Sequence, residues 1–148
     1  MPRSLIAASL LFITAACGSS EPPPEEAAEA YLHELTESDG ELGDLAMDEH
    51  SNELNLLSMT KIPRIDWSQV SGVRIDRSVP RGPGKLSPQV PDVSIEAVEY
   101  AGTLYKKLVA IDVSFTLTME DGGAHSGVLS LRPVEGVLKI LPAREAWD

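Results

Sequence analysis

The segment from Ile111 to Glu120 alternates strictly between apolar and polar side chains, and it constrains the fold more than any other part of the chain. Successive side chains of a β-strand point to opposite faces, so a period of two predicts a strand with one buried face. The apolar positions are Ile111, Val113, Phe115, Leu117 and Met119. A strand with such a face needs a cover, which other parts of the chain must supply.

Two turn signals divide the residues that follow into further strands. Asp121-Gly122-Gly123 is typical of a hairpin turn, after which residues 128–131 return as a strand. Glu135-Gly136 then turns the chain into an apolar run over residues 137–141. The sequence therefore predicts three consecutive antiparallel strands.

Earlier segments repeat the alternation over shorter lengths. Val73, Ile75 and Val79 alternate with polar residues and predict the first strand, with these three side chains on its buried face. Residues 80–92 contain four prolines and two glycines, which predict an open loop. The alternation resumes at Val93, Ile95 and Ala97, where another strand is expected.

The acidic segment that begins at Pro24 has the period of a helix. Proline is suited to a first helical turn, and the glutamates that follow lie near the positive end of the helix dipole. Ala28, Tyr31, Leu32 and Leu35 recur at spacings of three and four, which places an apolar stripe on one face. Gly40 is the predicted end of this segment.

More helical structure is predicted before the first strand. Ser38 and Glu41 have the spacing of a capping box, which predicts a second helix with Leu42, Leu45 and Ala46 on its inner side. Two interpretations stay open for the next residues. Either Ser51 caps a third, short helix that carries Leu54, Leu57 and Met59, or the two segments form one interrupted helix.

Helices followed by an antiparallel meander predict an α+β domain, with amino-terminal helices packed on a curved antiparallel sheet over residues 25–148. The opening residues 25–32 and the closing residues 135–140 resemble the first helix and the last hairpin of NTF2-like (cystatin-like) domains, which occur in bacterial lipoproteins. The resemblance implies a cone-shaped domain that can hold a hydrophobic ligand. A different helix-plus-sheet fold and a small β-sandwich behind a helical extension are the alternatives.

The amino terminus carries a positively charged residue, Arg3, and an uncharged stretch from Leu5 to Ala16, ahead of Cys17, the only cysteine. A helix over that stretch would rise roughly 18 Å, which is too short for a hydrocarbon core of about 30 Å. The pattern predicts a secretory signal peptide over residues 1–16. An ordinary signal peptide that leaves a free cysteine is the alternative, although an unpaired exported thiol would be a reactive liability.

The residues around Cys17 resemble the lipobox of bacterial lipoproteins, and the resemblance implies that the thiol is acylated after the signal is removed. Residues 17–24 contain three prolines and no large apolar side chain, which predicts a flexible tether after the acylated cysteine. We therefore expect a lipid-anchored, extracytoplasmic protein, on the outer face of a plasma membrane or in a periplasm.

Charge is distributed unevenly along the chain. The formal net charge is −11, which argues against binding of nucleic acid or anionic lipid over the whole surface. Twelve acidic residues and no lysine or arginine lie between Glu21 and Glu53. Basic residues predominate from Lys61 to Lys85. We predict that four of them bind an anionic envelope partner: Arg74, Arg77, Arg81 and Lys85. The alternative is that these side chains only solvate a connection between strands.

The sequence carries no motif for metal or cofactor chemistry. His33, His50 and His125 have no second histidine or cysteine at a spacing typical of metal ligands, and no phosphate-binding or dinucleotide fingerprint is present. A nucleophile elbow is also absent. We expect no cofactor and no metal.

Two functions remain for such a domain. The first is a non-catalytic binding module for an envelope partner or a small apolar ligand. The second, implied by the NTF2-like resemblance, is a cone-pocket enzyme of the isomerase or hydratase type, with Asp112, Tyr100 and Tyr105 as candidate proton-transfer residues. An internal cavity that contains a buried carboxylate would favour the enzyme.

Overall fold

The structure is a computed structural model, and it describes residues 21–47, 52–83 and 95–143. The predicted signal peptide, Cys17 and Lys85 lie outside the described residues. Within the described residues, the chain forms an α+β fold in which one long helix packs on a four-stranded antiparallel sheet. No helix in this part of the chain has the length and apolar character needed to cross a membrane.

The first helix, α1, spans Pro24–Glu37 and has the apolar stripe that the sequence predicts. Ala27, Ala28, Leu32 and Leu35 are buried, while Tyr31 is half-buried. The Tyr31 hydroxyl donates a hydrogen bond to the backbone oxygen of Leu138 in the last strand. The stripe therefore fixes α1 against the sheet.

The predicted second helix is wrong. Instead, Gly43–Leu45 forms a single 3-10 turn, and Ala46 is extended and forms a parallel bridge with Ile140. The Ser38 hydroxyl donates to the backbone oxygen of Glu41, 3.0 Å away, rather than capping a helix. Gly43 has a φ of +50°, a left-handed conformation that a continuous right-handed helix does not permit. A second helix, α2, is one turn long, Asn52–Asn55.

The main sheet contains four antiparallel strands in the order β1-β4-β5-β6. Their bounds are Val70–Arg81 for β1, Ala110–Met119 for β4, Ala124–Val134 for β5 and Val137–Ile140 for β6. A 3-10 turn, Trp67–Gln69, leads into β1. The three consecutive antiparallel strands predicted from the alternation and the two turn signals are confirmed.

A separate hairpin joins β2, Val98–Tyr100, to β3, Thr103–Tyr105. The two turn residues between them, Ala101 and Gly102, have φ angles of +50° and +81°, as the tight turn of a hairpin requires. Of the strand expected over Val93, Ile95 and Ala97, Val93 lies outside the described residues. Ile95 and Ala97 precede the observed strand, which begins at Val98. Because β3 contains three residues, it can pair with only three residues of β2.

The register of β1 shifts between Ile75 and Arg77. Ile75 pairs with Phe115 and Arg77 pairs with the neighbouring Ser114, so β1 has one extra residue at this point. This β-bulge reverses the alternation, so that Val79 is 41% exposed and Ser78 faces α1, where its hydroxyl donates to Glu25. The predicted burial of Val79 is therefore wrong. The strand also continues through Pro80 and Arg81, which were expected to belong to the open loop.

The core lies between α1 and the odd-numbered face of β4. All five apolar residues of that face are buried, together with Leu129 and Leu131 of β5, as the alternation predicts. Gly127 lies opposite Phe115, and a Cβ atom there would stand 2.4 Å from Phe115 Cζ. A glycine at this position therefore makes room for the aromatic ring across the strand pair.

Candidate functional site

The three predicted arginines that the structure describes share one face of the sheet. Arg74, Arg77 and Arg81 pair with Thr116, Ser114 and Ala110, which are even-numbered residues of β4 and lie on the face opposite α1. In a regular strand, an even-numbered arginine and two odd-numbered ones would point to opposite faces. The bulge after Ile75 is what brings the three together.

We call this surface the basic sheet face, meaning the face of the four-stranded sheet that points away from α1. All lysine, arginine, aspartate and glutamate side chains of its four strands lie there. Arg132 and Lys139 belong to this set because they form a cross-strand pair on the same face as the even-numbered residues of β4. The basic members are Arg74, Arg77, Arg81, Arg132 and Lys139, and the acidic members are Asp76 and Asp112. In contrast, α1 on the other side of the sheet carries five glutamates and no lysine or arginine.

Arg81 is held inside this face by an ion pair. Its Nε atom lies 2.6 Å from Oδ2 of Asp112, and its Nη2 atom donates to Asp112 Oδ1 at 3.2 Å and to the backbone oxygen of Leu57 at 2.8 Å. The two side chains are only 28% and 19% exposed. Arg81 therefore connects the segment after α2 to the sheet, and its charge is compensated by Asp112.

Ser130 extends this polar cluster. Its hydroxyl donates to Asp112 Oδ1 at 2.6 Å and accepts from the backbone nitrogen of Met59 at 2.9 Å. The backbone nitrogen of Ser130 donates to the Thr60 hydroxyl at 2.9 Å. Ser130 and Thr60 are both buried, so their polar atoms need these partners.

Arg74 forms a more exposed network. Its Nε atom lies 2.8 Å from Asp76 Oδ1, while the Thr116 hydroxyl donates to Asp76 Oδ2 at 2.7 Å. The hydrogen bonds from Thr116 and Arg74 lower the pKa of the Asp76 carboxyl. Since 72% of the Arg74 side chain is exposed, solvent weakens the ion pair and leaves the guanidinium accessible to a ligand.

Arg77 is the most available cation of the basic sheet face. It is exposed, and it forms no ion pair with another described residue. Small hydroxyl side chains surround it on the neighbouring strands, where Ser114 lies directly opposite and Thr116 and Ser126 form the next cross-strand pair. Arg74 and Arg77 thus lie on a part of the sheet that is rich in hydroxyl side chains.

An open cleft of about 490 Å³ lies at the carboxyl end of α1 and is lined by both apolar and charged residues. Leu42, Ile62 and Trp67 contribute apolar walls, and Arg64 contributes a charged group. Gly40 has a φ of +84°, and a Cβ atom there would stand 2.5 Å from Trp67 Nε1. This cleft could not be predicted from the sequence, because its walls come mostly from irregular segments without a periodic pattern.

The candidate proton-transfer residues are distributed over different parts of the fold. Asp112 lies on the basic sheet face in the ion pair with Arg81, whereas Tyr100 is fully buried on the core side. The Tyr100 hydroxyl donates to the backbone oxygen of Pro22 at 2.7 Å, and burial raises the pKa of Tyr100 to about 12. Tyr105 is half-buried against the main core. The structure does not bring Asp112 and Tyr100 together.

No group of three or more histidine, aspartate or glutamate side chains within the described segments is arranged to hold a metal ion. His33 and Glu29, one turn apart on α1, are both exposed and lie 3.9 Å apart. Comparisons with models of protein families, with curated proteins and with solved structures find no match to this chain.

Proposed function

We propose that this protein is a membrane-anchored, extracytoplasmic lipoprotein whose domain binds an anionic partner in the cell envelope through the basic sheet face. The observation that supports this function best is the separation of charge across the fold. A chain with a net charge of −11 has a sheet face with five basic and two acidic side chains, while α1 on the other side is acidic.

Arginine is suited to such a role because its planar guanidinium binds carboxylate or phosphate oxygens with two parallel hydrogen bonds. Arg74 and Arg77 are exposed and supply these donors, while Arg81 is compensated by Asp112 and holds the surrounding backbone in place. At physiological ionic strength, charges beyond about 8 Å are largely screened, so the local face matters more to a ligand than the net charge.

The anchor is the second part of this proposal. Cys17 follows an uncharged segment preceded by Arg3, and it is the only cysteine of the chain. One buried acyl chain gives only marginal membrane attachment, whereas two or more anchor a protein stably. Acylation of Cys17 would therefore hold the domain at the membrane surface and place the basic sheet face near other envelope components.

We also propose that the domain belongs to the NTF2-like (cystatin-like) class. The amino-terminal helix packed on an antiparallel sheet that ends in the hairpin of β5 and β6 supports it. A cone-pocket enzyme would need an acid or base next to its ligand. The position of Asp112 in an ion pair with Arg81, on the face opposite the core, favours a binding module instead.

A small apolar ligand is a second candidate, and the cleft beside Trp67 favours it. Its volume of about 490 Å³ falls within the usual range of ligand sites. Titration with an environment-sensitive apolar dye tests this candidate. Saturable binding to the parent protein that is lost in Leu42→Glu would support the cleft as its site, and the same binding in both proteins would exclude it.

The anionic-partner proposal is tested with two defined probes, immobilised poly-glutamate and immobilised polyphosphate, at low and high salt. The double variant Arg74→Ser/Arg77→Ser should bind at least about tenfold more weakly than the parent, because each charge-assisted hydrogen bond contributes about 1.5–3 kcal/mol before solvent screening. Lys106→Ser/Lys107→Ser removes the same charge from exposed residues outside the four-stranded sheet and serves as the matched control. Equal loss in both double variants would contradict the proposal.

A further inference from the structure

The residues that precede α1 are bound to the domain. The backbone oxygen of Pro22 accepts the hydrogen bond from the buried Tyr100 hydroxyl, and Glu21 Oε1 accepts one from the backbone nitrogen of Ala101 at 3.0 Å. Gly136 lies beside the same glutamate, where an added Cβ atom would stand 3.1 Å from Glu21 Oε2. The chain therefore leaves the domain between the β2–β3 turn and the β5–β6 turn.

This exit point is close to the proposed lipid anchor. Only residues 18–20 separate Cys17 from Glu21, and a chain advances at most about 3.3–3.6 Å per residue, so the exit lies within about 14 Å of Cys17. The headgroup layer on each side of a bilayer is roughly 5–8 Å thick. The predicted tether spans residues 17–24, but Glu21 and Pro22 are bound to the domain and Pro24 begins α1. The remaining tether of residues 18–20 is therefore shorter than α1, whose 14 residues extend about 21 Å.

Two exposed apolar side chains flank the exit. Leu104 is 58% exposed and lies two residues after the β2–β3 turn residue Gly102, while Val137 is 52% exposed and follows Gly136 directly. Apolar side chains of this kind gain free energy when they enter the boundary between headgroups and acyl chains. Their position beside a short tether distinguishes them from apolar residues scattered elsewhere.

The charged side chains around Leu104 and Val137 do not favour one type of lipid headgroup. Lys106 and Lys107 are exposed just after β3, but Glu99 lies directly opposite Leu104 and Glu135 occupies the β5–β6 turn. With Glu21 at the exit itself, two positive and three negative side chains therefore surround Leu104 and Val137. Contact with a membrane should depend on the short tether and on apolar insertion rather than on anionic headgroups.

We infer that the end of the domain formed by the β2–β3 and β5–β6 turns lies on the lipid headgroups, with Leu104 and Val137 in the interfacial layer. This inference rests on the proposed acylation of Cys17. The ten residues of β4 run from this end toward the hairpin at 121–123, which stands about 30 Å away. The basic sheet face is consequently perpendicular to the membrane surface. The cleft beside Trp67 lies at the opposite end of the domain from the membrane.

The orientation is testable because an acylated Cys17 leaves no free thiol in the parent chain. A fluorophore on Thr103→Cys reports the membrane-facing end, and one on Glu120→Cys reports the far end; both positions are exposed. The full acylated protein is placed in phosphatidylcholine vesicles that carry a headgroup-attached quencher. We expect strong quenching at Thr103→Cys and none above background at Glu120→Cys. Equal quenching at the two sites, or stronger quenching at Glu120→Cys, would overturn the inference.

Two further variants test the causes. Insertion of about ten glycine and serine residues between Ser20 and Glu21 lengthens the tether severalfold and should abolish the difference between the two probes. Leu104→Ser should weaken quenching at Thr103→Cys while leaving the protein on the vesicles. A difference that persists in the insertion variant would show that the tether does not set the orientation.

Vesicle flotation separates failure of the orientation from failure of the anchor. Protein that does not float with the vesicles is not acylated, and this result would overturn both the anchor and the orientation. Protein that floats without a difference between the probes would overturn the orientation alone. Binding to poly-glutamate or polyphosphate is measured independently of either outcome.

Discussion

Truncation of Phe115 offers the sharpest test of how the sheet is packed. The side chain is fully buried in the core between α1 and β4, and an aromatic side chain buries roughly 200 Å². At about 25 cal/mol per Å² this area corresponds to about 5 kcal/mol, which is an upper bound because denatured chains already bury part of it. We therefore expect Phe115→Ala to lower the free energy of unfolding by about 3–5 kcal/mol.

Thr116→Ala is the matched control, because Thr116 is the next residue on the same strand and points to the opposite face. Its hydroxyl bonds Asp76 at an exposed site, so its loss should cost less than about 1 kcal/mol. Urea unfolding of the Cys17→Ser protein, followed by far-ultraviolet circular dichroism, measures both values. Losses of similar size in the two variants would refute the assigned phase of β4.

Gly127→Ala extends this test to the neighbouring strand. Its Cβ atom would stand 2.4 Å from Phe115 Cζ and 2.5 Å from the backbone oxygen of Lys61, so the single variant should be strongly destabilised. Phe115→Ala removes the first of these two contacts. The double variant should therefore lose less stability than the sum of the two single losses. Additive losses would show that the ring does not occupy the space above Gly127.

The remaining predictions concern the anchor, the hairpin, the ion pair and the bulge. Cys17→Ala should prevent acylation and release the protein from membrane fractions; a parent and variant that are equally soluble and cut at the same bond would contradict the lipoprotein interpretation. Burial raises the pKa of Tyr100 from 10.0 to about 12, so the contribution of Tyr100 to stability should be constant below pH 10 and decline between pH 10 and 12. Tyr100→Phe should remove this decline in alkaline urea titrations, apart from any contribution of Tyr31. Arg81→Met and Asp112→Asn should each destabilise the domain, with a coupling of about 1–2 kcal/mol in the double-variant cycle; zero coupling would contradict the ion pair. Deletion of Asp76 should leave the fold intact and strengthen polyphosphate binding. Loss of folding would contradict the assigned bulge, and unchanged or weaker binding would contradict the basic sheet face as the binding surface.

Periodic patterns of apolar residues correctly predicted the buried face of a single strand and of a single helix. The alternation over 111–119 predicted the buried face of β4, and the stripe from Ala28 to Leu35 predicted the side of α1 that packs on it. The predicted helix after Ser38 failed because Gly43 adopts a left-handed conformation and Ala46 bridges to Ile140, a residue 94 positions later in the chain. No local signal reports such a distant partner.

The candidate site was only partly predictable for the same reason. The run of basic residues after Lys61 was visible in the sequence, but the face on which each arginine lies depends on the register between β1 and β4. Asp112 was expected as a candidate proton-transfer residue of a cone-pocket enzyme. Its actual partner, Arg81, lies on the neighbouring strand, and pairing across strands cannot be deduced from spacing along one chain.

The bulge in β1 explains why Arg74, Arg77 and Arg81 lie on one face of the sheet although their spacing in the sequence is irregular. If Asp76 is omitted from the count, the residues on either side alternate without interruption, with Ile75 and Ser78 toward α1 and Arg74 and Arg77 away from it. Asp76 is therefore the inserted residue, and its deletion restores regular pairing without moving any arginine to the core side. The deletion also removes one of the two carboxylates on the basic sheet face, which is why it should increase affinity for a polyanion rather than destroy the surface.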